Sequence, residues 1–318
     1  PIFVNPLEYG LWKSSLQQMT KYFACYYGDI NIRFNCISPG CFPNINNVKD
    51  FWENNPLWTG ESVFEPGTLE FFEEHRSVYI DDCFGGSFDN RFLPPMLKES
   101  QQNKILDLGC GIGFWVSEFS KRGLKNLYAA DLTQSALDIT KKRLEIYNGF
   151  ADLSIQNAEN LTFDDKTFNH VNCQGVIHHT PNTDQTIIEI ARVLNEGGTA
   201  SISVYYRNPI LKMWPILRFF AWPLSLFGGG LKGRGRESIF KLKDVDEIVR
   251  LYDGSDNPIG KSYTKDTFVK MLNPYFEVQE TYLHFFPARA LPFKIPKFLH
   301  RWLDRNLGFM IYATLKKK

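Results

Sequence analysis

The segment Ile105-Leu-Asp-Leu-Gly-Cys-Gly-Ile-Gly113 ends an apolar run and leads into helix-forming sequence, and it has the residue types to hold a ligand against the backbone. Glycines at 109, 111 and 113 let the chain turn sharply and leave no Cβ between main chain and ligand. Asp107 sits inside the strand end, two residues before the first glycine. An acid there could hold the ammonium of an amino-acid ligand, whereas it would repel a pyrophosphate. The G-x-G-x-G spacing also departs from the G-x-G-x-x-G of dinucleotide sites. A second acid, Asp131, closes the next apolar run in Tyr128-Ala-Ala-Asp-Leu-Thr133. At that place, about 20 residues past a glycine loop, an acid accepts hydrogen bonds from ribose hydroxyls. It could instead cap the following helix, a task equally open to Thr133 or Ser135.

The elements that must position these residues can be read from periodicity. Short β-rich runs alternate with helical patterns between residues 104 and 206, the signature of βαβ units and a parallel sheet. Strands are expected at Lys104–Leu108, Leu127–Ala130, Leu153–Gln156, Val171–Gly175 and Thr199–Tyr205, with a turn-rich connection over Phe163–Phe168. Helices are expected at Phe114–Arg122, Ser135–Tyr147 and Thr183–Leu194, the last closed by Gly197. Residues 1–103 read as a cap region, loop-rich to residue 60 and helical around Leu69–Tyr79. Residues 207–260 read as an insertion or lid. Residues 261–318 supply two late strands, Phe276–Phe286 and Phe309–Leu315, on either side of the proline-rich stretch Pro287–Pro296.

Four segments in this order, ILDLGCGIG (105–113), YAADLT (128–133), QNAENLTF (156–163) and QGVIHHT (174–180), resemble the class I S-adenosylmethionine (SAM)-dependent methyltransferases. The similarity is to the branch that includes ubiquinone- and menaquinone-biosynthesis methyltransferases. ARVLNEGGTASIS (191–203) follows where that family has its fifth strand. The resemblance covers about 100 residues and implies a Rossmann-like α/β fold, with a seven-stranded, mostly parallel sheet sandwiched by helices, an N-terminal cap and an insertion after strand five. It implies SAM as cofactor. Asp107, Gly109, Cys110, Gly111 and Gly113 would surround its methionine part, and Asp131 would bind its ribose, with Leu132 against the adenine. Asn157, Ala158 and Glu159 would border the adenine edge, and Gln174 and Gly175 would end strand four beside the sulfonium. Family members usually carry Asp where Asn157 stands, and an Asn carbonyl still accepts from the adenine amino group.

Methyl transfer is an in-line displacement with a good leaving group, so the protein mainly aligns the nucleophile and excludes water. A hydroxyl nucleophile gains from a base, and His178 and His179 follow strand four where an acceptor would lie. Either could equally cap the next helix or steady the cofactor loop. Transfer to carbon of an electron-rich ring can proceed without a base. Tyr205, Tyr206 and Arg207 leave strand five on the same edge, either as acceptor contacts or as packing and a surface charge. Arg250–Gly260 is rich in turn residues, as a lid or a closing loop.

A net charge of +1 predicts no nucleic-acid partner, and strand four lacks the Asn/Asp-Pro-Pro-Tyr pattern of base amino-methyltransferases. The average conceals an asymmetry. Residues 44–100 carry eleven acids against four Lys/Arg, whereas 207–243 and 289–318 each carry eight Lys/Arg against one acid. Trp214, Phe219, Phe220, Trp222 and Phe227 lie among the cations of the first basic segment. They suit a lipophilic substrate or peripheral membrane contact, or else a helical cap over the core. The six scattered cysteines read as reduced thiols of a cytosolic protein, and the opening residues PIFVNPLEYG carry no secretory pattern. Cys25, Cys36 and Cys41 offer only three thiols without C-x-x-C spacing, so no metal is expected. The expected function is methylation of oxygen or carbon in a small or lipophilic metabolite. The alternatives are a tRNA or protein methyltransferase, whose binding would be salt-dependent if nucleic acid is the substrate, and a SAM-binding protein without activity.

Overall fold

The computed structural model describes residues 43–95, 102–226 and 241–318. Cys25, Cys36, Cys41 and Phe227, singled out above, lie outside the described residues. Among the described residues the cysteines are Cys83, Cys110 and Cys173, all buried free thiols, and no group of three His, Cys, Asp or Glu side chains is placed to hold a metal.

Eight strands form one sheet: β1 (Ile105–Leu108), β2 (Leu127–Asp131), β3 (Asp152–Ile155), β4 (Phe168–Gln174), β5 (Leu194–Tyr206), β6 (Ser262–Tyr263), β7 (Phe276–His284) and β8 (Met310–Lys317). The main path runs β3-β2-β1-β4-β5-β8-β7, with β6 paired to β5 at its carboxyl end. β1 to β5 are parallel, and β8 enters antiparallel between β5 and β7. The expected seven-stranded, mostly parallel sheet is thus present, with β6 as a two-residue addition. β1 lies between β2 and β4 and is buried at all four positions, because crossover helices cover both faces of a parallel sheet.

The helices are α1 (Ile45–Asn54), α2 (Leu69–Val78), α3 (Phe114–Lys121), α4 (Gln134–Ile146), α5 (Thr183–Val193), α6 (Pro209–Lys212), α7 (Trp214–Leu226), α8 (Val245–Tyr252), α9 (Lys265–Leu272) and α10 (Lys297–Leu307). None is long and apolar enough to cross a membrane. Two differ from the sequence reading. α1 replaces expected loop. Asn44 accepts from the amides of Asn46 and Asn47, and Asn47 returns a bond to the Asn44 amide, a reciprocal cap written in asparagines. α10 follows the expected proline-rich stretch, in residues to which no element had been assigned, because the prolines end at Pro296 and leave helix-compatible sequence behind them.

Two strands also begin earlier than expected, β4 at Phe168 and β5 at Leu194. Gly197 closes no helix. It lies within β5 with a φ of 67°, beyond an α5 that ends at Val193. Conformationally the chain passes from helix to strand with no spacer, where the sequence reading placed a loop.

Candidate active site

The glycine loop leaves β1 for α3. Gly109 has a φ of 72°, and a Cβ there would stand 2.2 Å from Val176 Cγ2, so the loop is pressed against the turn after β4. Gly111, with a φ of 53°, faces open space, where a Cβ would meet nothing within 4 Å. Its amide donates to Asp131 Oδ2 at 2.9 Å. Asp131 Oδ1 accepts from the Thr133 amide at 3.0 Å and its hydroxyl at 2.9 Å. Burial raises the Asp131 carboxyl above its usual range, opposed by these donors. Capping of α4 falls to another residue. Glu53, from α1, accepts from the Gln134 and Ser135 amides at 2.9 and 3.0 Å. The same contacts clip α1 across the cleft.

That cleft is lined by Gly109, Gly111, Asp131, Leu132, Asn157, Ala158, Gln174 and Gly175 of the expected set, and by Val48 and Trp52 of α1. Asp107, Cys110, Gly113 and Glu159 do not line it. Asp107 is 2% exposed and accepts from Val116 N at 3.0 Å and Asn172 Nδ2 at 2.8 Å. Burial pushes its pKa up to about 7. Its reach is inward, joining β1 to β4 and to the start of α3, so it acts on the cleft by holding the loop. Cys110 turns its sulfur toward Thr140, and Glu159 accepts from the Asn182 amide. Asn157 Oδ1 accepts from the Glu159 amide at 3.0 Å. That turn takes up the carbonyl expected to meet the adenine amino group, so the amide nitrogen is the end left to serve the cleft.

A second cavity adjoins the first and shares Trp52, Leu57, Gln174, Gly175 and His179 with it. Its volume is about 140 Å³, close to that of cavities that admit one benzene ring, roughly 150 Å³. Walls come from His75 of α2 with Trp58 before it and Tyr79 after it, from the carboxyl end of β5 (Ser203, Tyr205), from Phe285 just past β7 and from Met310 and Tyr312 of β8. Of the three candidates at the end of β5, only Tyr205 faces it. Strand alternation turns Tyr206 to the opposite side, against the main core cluster, and Arg207 bonds Ser262 and Asp246.

The two histidines differ sharply. His179 Nδ1 lies 2.7 Å from the Ile259 carbonyl, which can only accept, so that nitrogen carries the hydrogen. Its Nε2 is 3.4 Å from Asp253 Oδ2, which also accepts from the Tyr205 hydroxyl at 2.8 Å. Both ring nitrogens thus face protein, and His179 bolts the 250–260 loop to the turn after β4. Arg250 ties that loop internally to the Ser255 and Asn257 carbonyls, and Lys261 ties its end to Thr180 and Pro181. The loop is closed at both ends rather than hinged. His178 is 1% exposed, borders the cavity, and has an Nδ1 with no hydrogen-bond partner. Burial, and secondarily His179 beside it, hold its pKa well below the ordinary histidine value. It is neutral at pH 7, and its Nδ1 is itself buried. Gln174 Oε1, buried where the cavities join, also lacks a partner, while its amide donates to Asn172.

The sequence reading missed the walls given by Trp52, Trp58, His75, Tyr79, Phe285 and Tyr312. The aromatic density of residues 51–84 was a signal, but nothing in it specifies a partner element. An acid at the second strand end, an open backbone cradle at Gly111 and an orphaned acceptor on Gln174 fit an amino-acid-bearing nucleoside such as SAM.

Residues 106–202 match a family described as "Methyltransferase domain". The chain is 25% identical over 211 residues to a ubiquinone biosynthesis O-methyltransferase of Alkalilimnicola ehrlichii, covering 63% of this chain and 78% of that protein. It is 37% identical over 100 residues to a ubiquinone/menaquinone biosynthesis C-methyltransferase of Hydrogenovibrio crunogenus, covering 30% of this chain and only 39% of that relative. Among solved structures it is similar to a SAM-dependent methyltransferase of Methanosarcina mazei, at 18% identity and a TM-score of 0.49, covering 71% of this chain and 98% of that one.

Proposed function

Because this chain is a class I SAM-dependent methyltransferase with SAM as its cofactor, we propose that it methylates a hydroxyl oxygen on a small, single-ring, largely apolar metabolite, with His178 as proton acceptor. The observation that carries the reading is that His178, whose buried Nδ1 has no hydrogen-bond partner, lines the cavity beside the cofactor cleft. SAM supplies a methyl group on a sulfonium. Asp131, with Leu132 and Asn157, would hold the nucleoside end, and Gly111, Gln174 and Gly175 the end nearest the acceptor. Asp107 and Glu53 position these residues from behind. His178 Nδ1 takes the proton of the acceptor hydroxyl as the oxygen attacks, and Gln174 Oε1 offers a second acceptor for a ring substituent. Trp52, Trp58 and Tyr79 exclude water.

A cavity sized for one ring favours this reading over a tRNA or protein substrate. Oxygen is favoured over carbon because a neutral base is present, and because several similar proteins bear the name ubiquinone biosynthesis O-methyltransferase. The test is transfer of labelled methyl from SAM to a panel of phenols and hydroxylated rings. His178→Ala should lower kcat by about 100-fold, the usual worth of a general base, with SAM affinity unchanged by calorimetry. Equal turnover by the variant would remove His178 from the chemistry and favour carbon as acceptor. SAM binding without turnover on any acceptor would favour the non-catalytic reading.

A further inference from the structure

α10 is amphipathic in the wrong sense for a helix resting on a core. Its inward face is polar. Asp304, 1% exposed, meets His284 Nδ1 and accepts from the Phe286 amide, and His300 Nε2 lies 2.9 Å from the Phe286 carbonyl. Its outward face is aromatic: Phe298 is 76% exposed and Trp302 57%, with Leu299 beside them. Burying such side chains is favourable, so a cluster of them left exposed calls for a reason. Lys294, Lys297 and Arg305 are exposed around these rings, and none makes an ion pair among the described residues. Between Pro287 and Leu307 the only acid is Asp304, and it points inward.

The same pattern recurs on α7. Phe219 and Phe220 are 66% and 70% exposed, so these rings do not form the expected cap over the core. Asn208, the cap of the short α6 that precedes α7, is tied to the end of α10, for its Nδ2 donates to the Leu307 carbonyl at 2.8 Å. Exposed rings thus stand on both α7 and α10.

We propose that α10, with α7 beside it, is a docking surface for an anionic lipid bilayer, the rings entering the headgroup boundary and the lysines and arginines meeting lipid phosphates. Long basic side chains around an aromatic stripe match that boundary chemically. A second copy of this chain fits less well, because a two-fold contact would set the same basic rim against itself. The surface needs no methyl acceptor, so it stands or falls apart from the substrate reading.

The experiment is co-sedimentation of the full chain with vesicles of phosphatidylcholine alone, or with about a third phosphatidylglycerol. We expect partitioning at least ~10-fold stronger onto the anionic vesicles, weakened by salt. Lys294→Glu/Lys297→Glu/Arg305→Glu and, separately, Phe298→Ala/Trp302→Ala should each lower it by about 10-fold. These positions are exposed, so folding should be unaffected. Three results would overturn the proposal: no partitioning, equal partitioning by both variants, or a concentration-dependent dimer that Phe298→Ala/Trp302→Ala dissolves. Salt-sensitive capture by an acidic protein without vesicle binding would do so as well.

Discussion

The cofactor cleft and the acceptor cavity share a wall, yet they are built in opposite ways. The cleft is local. Its contacts come from the carboxyl ends of four adjacent parallel strands and the turns after them, and each works chiefly through backbone geometry: Gly109 against Val176, the Gly111 amide to Asp131, Asn157 to the Glu159 amide. The cavity draws on α1, α2, β5, the 250–260 loop and the strand ends at 285 and 310, segments separated by more than 200 residues of chain. It works through side-chain surface. A cleft made by backbone turns tolerates little change in sequence. A cavity made by side chains can be recut for another ligand without altering the fold.

This division can be broken most directly at Asp131. Its carboxylate serves only groups of the cleft, so Asp131→Ala should weaken SAM binding at least tenfold, about 1.4 kcal/mol, with the acceptor KM little changed. Calorimetry against SAM and S-adenosylhomocysteine gives the first quantity and steady-state kinetics the second. A parallel tenfold rise in acceptor KM would mean the two regions are energetically one.

Tyr205 tests the other side with a smaller effect. Its hydroxyl bonds Asp253, which in turn faces His179. Tyr205→Phe removes one neutral-to-charged hydrogen bond, and it should raise the acceptor KM by about threefold, near 0.7 kcal/mol. SAM affinity should hold within experimental scatter. If SAM affinity falls instead, the Tyr205–Asp253–His179 chain supports the cofactor side of the shared wall.

The same contrast governs what could be read in advance. Glycine spacing and an acid at each of two strand ends are local signals, so the alternation of strand and helix through β5, and eight of the residues that line the cleft, could be read from residues 104–206. Burial direction was not legible. Asp107 and Asp131 are the same residue type at similar strand ends. Only the fold shows that one turns inward to Asn172 and the other toward the cleft. Likewise His178 and His179 are neighbours in sequence, and what separates them is the Ile259 carbonyl, 80 residues away. α10 escaped notice because its outward aromatics and inward Asp304 invert the pattern by which buried helix faces are recognised.

The smallest expected effect is an absence of change with pH. A histidine at the ordinary value of 6.5 would be about three-quarters protonated at pH 6 and would lose roughly fourfold in rate between pH 7.5 and 6. Burial, which penalises the charged ring, holds His178 well below that value. Its base form therefore persists as the pH falls, and kcat should vary less than about twofold over the same range. The measurement needs saturating SAM, since Asp107, raised to about 7 by its own burial, titrates behind the cofactor loop within this window. A fourfold loss at pH 6 would show that His178 is far more open to water during turnover than its 1% exposure indicates.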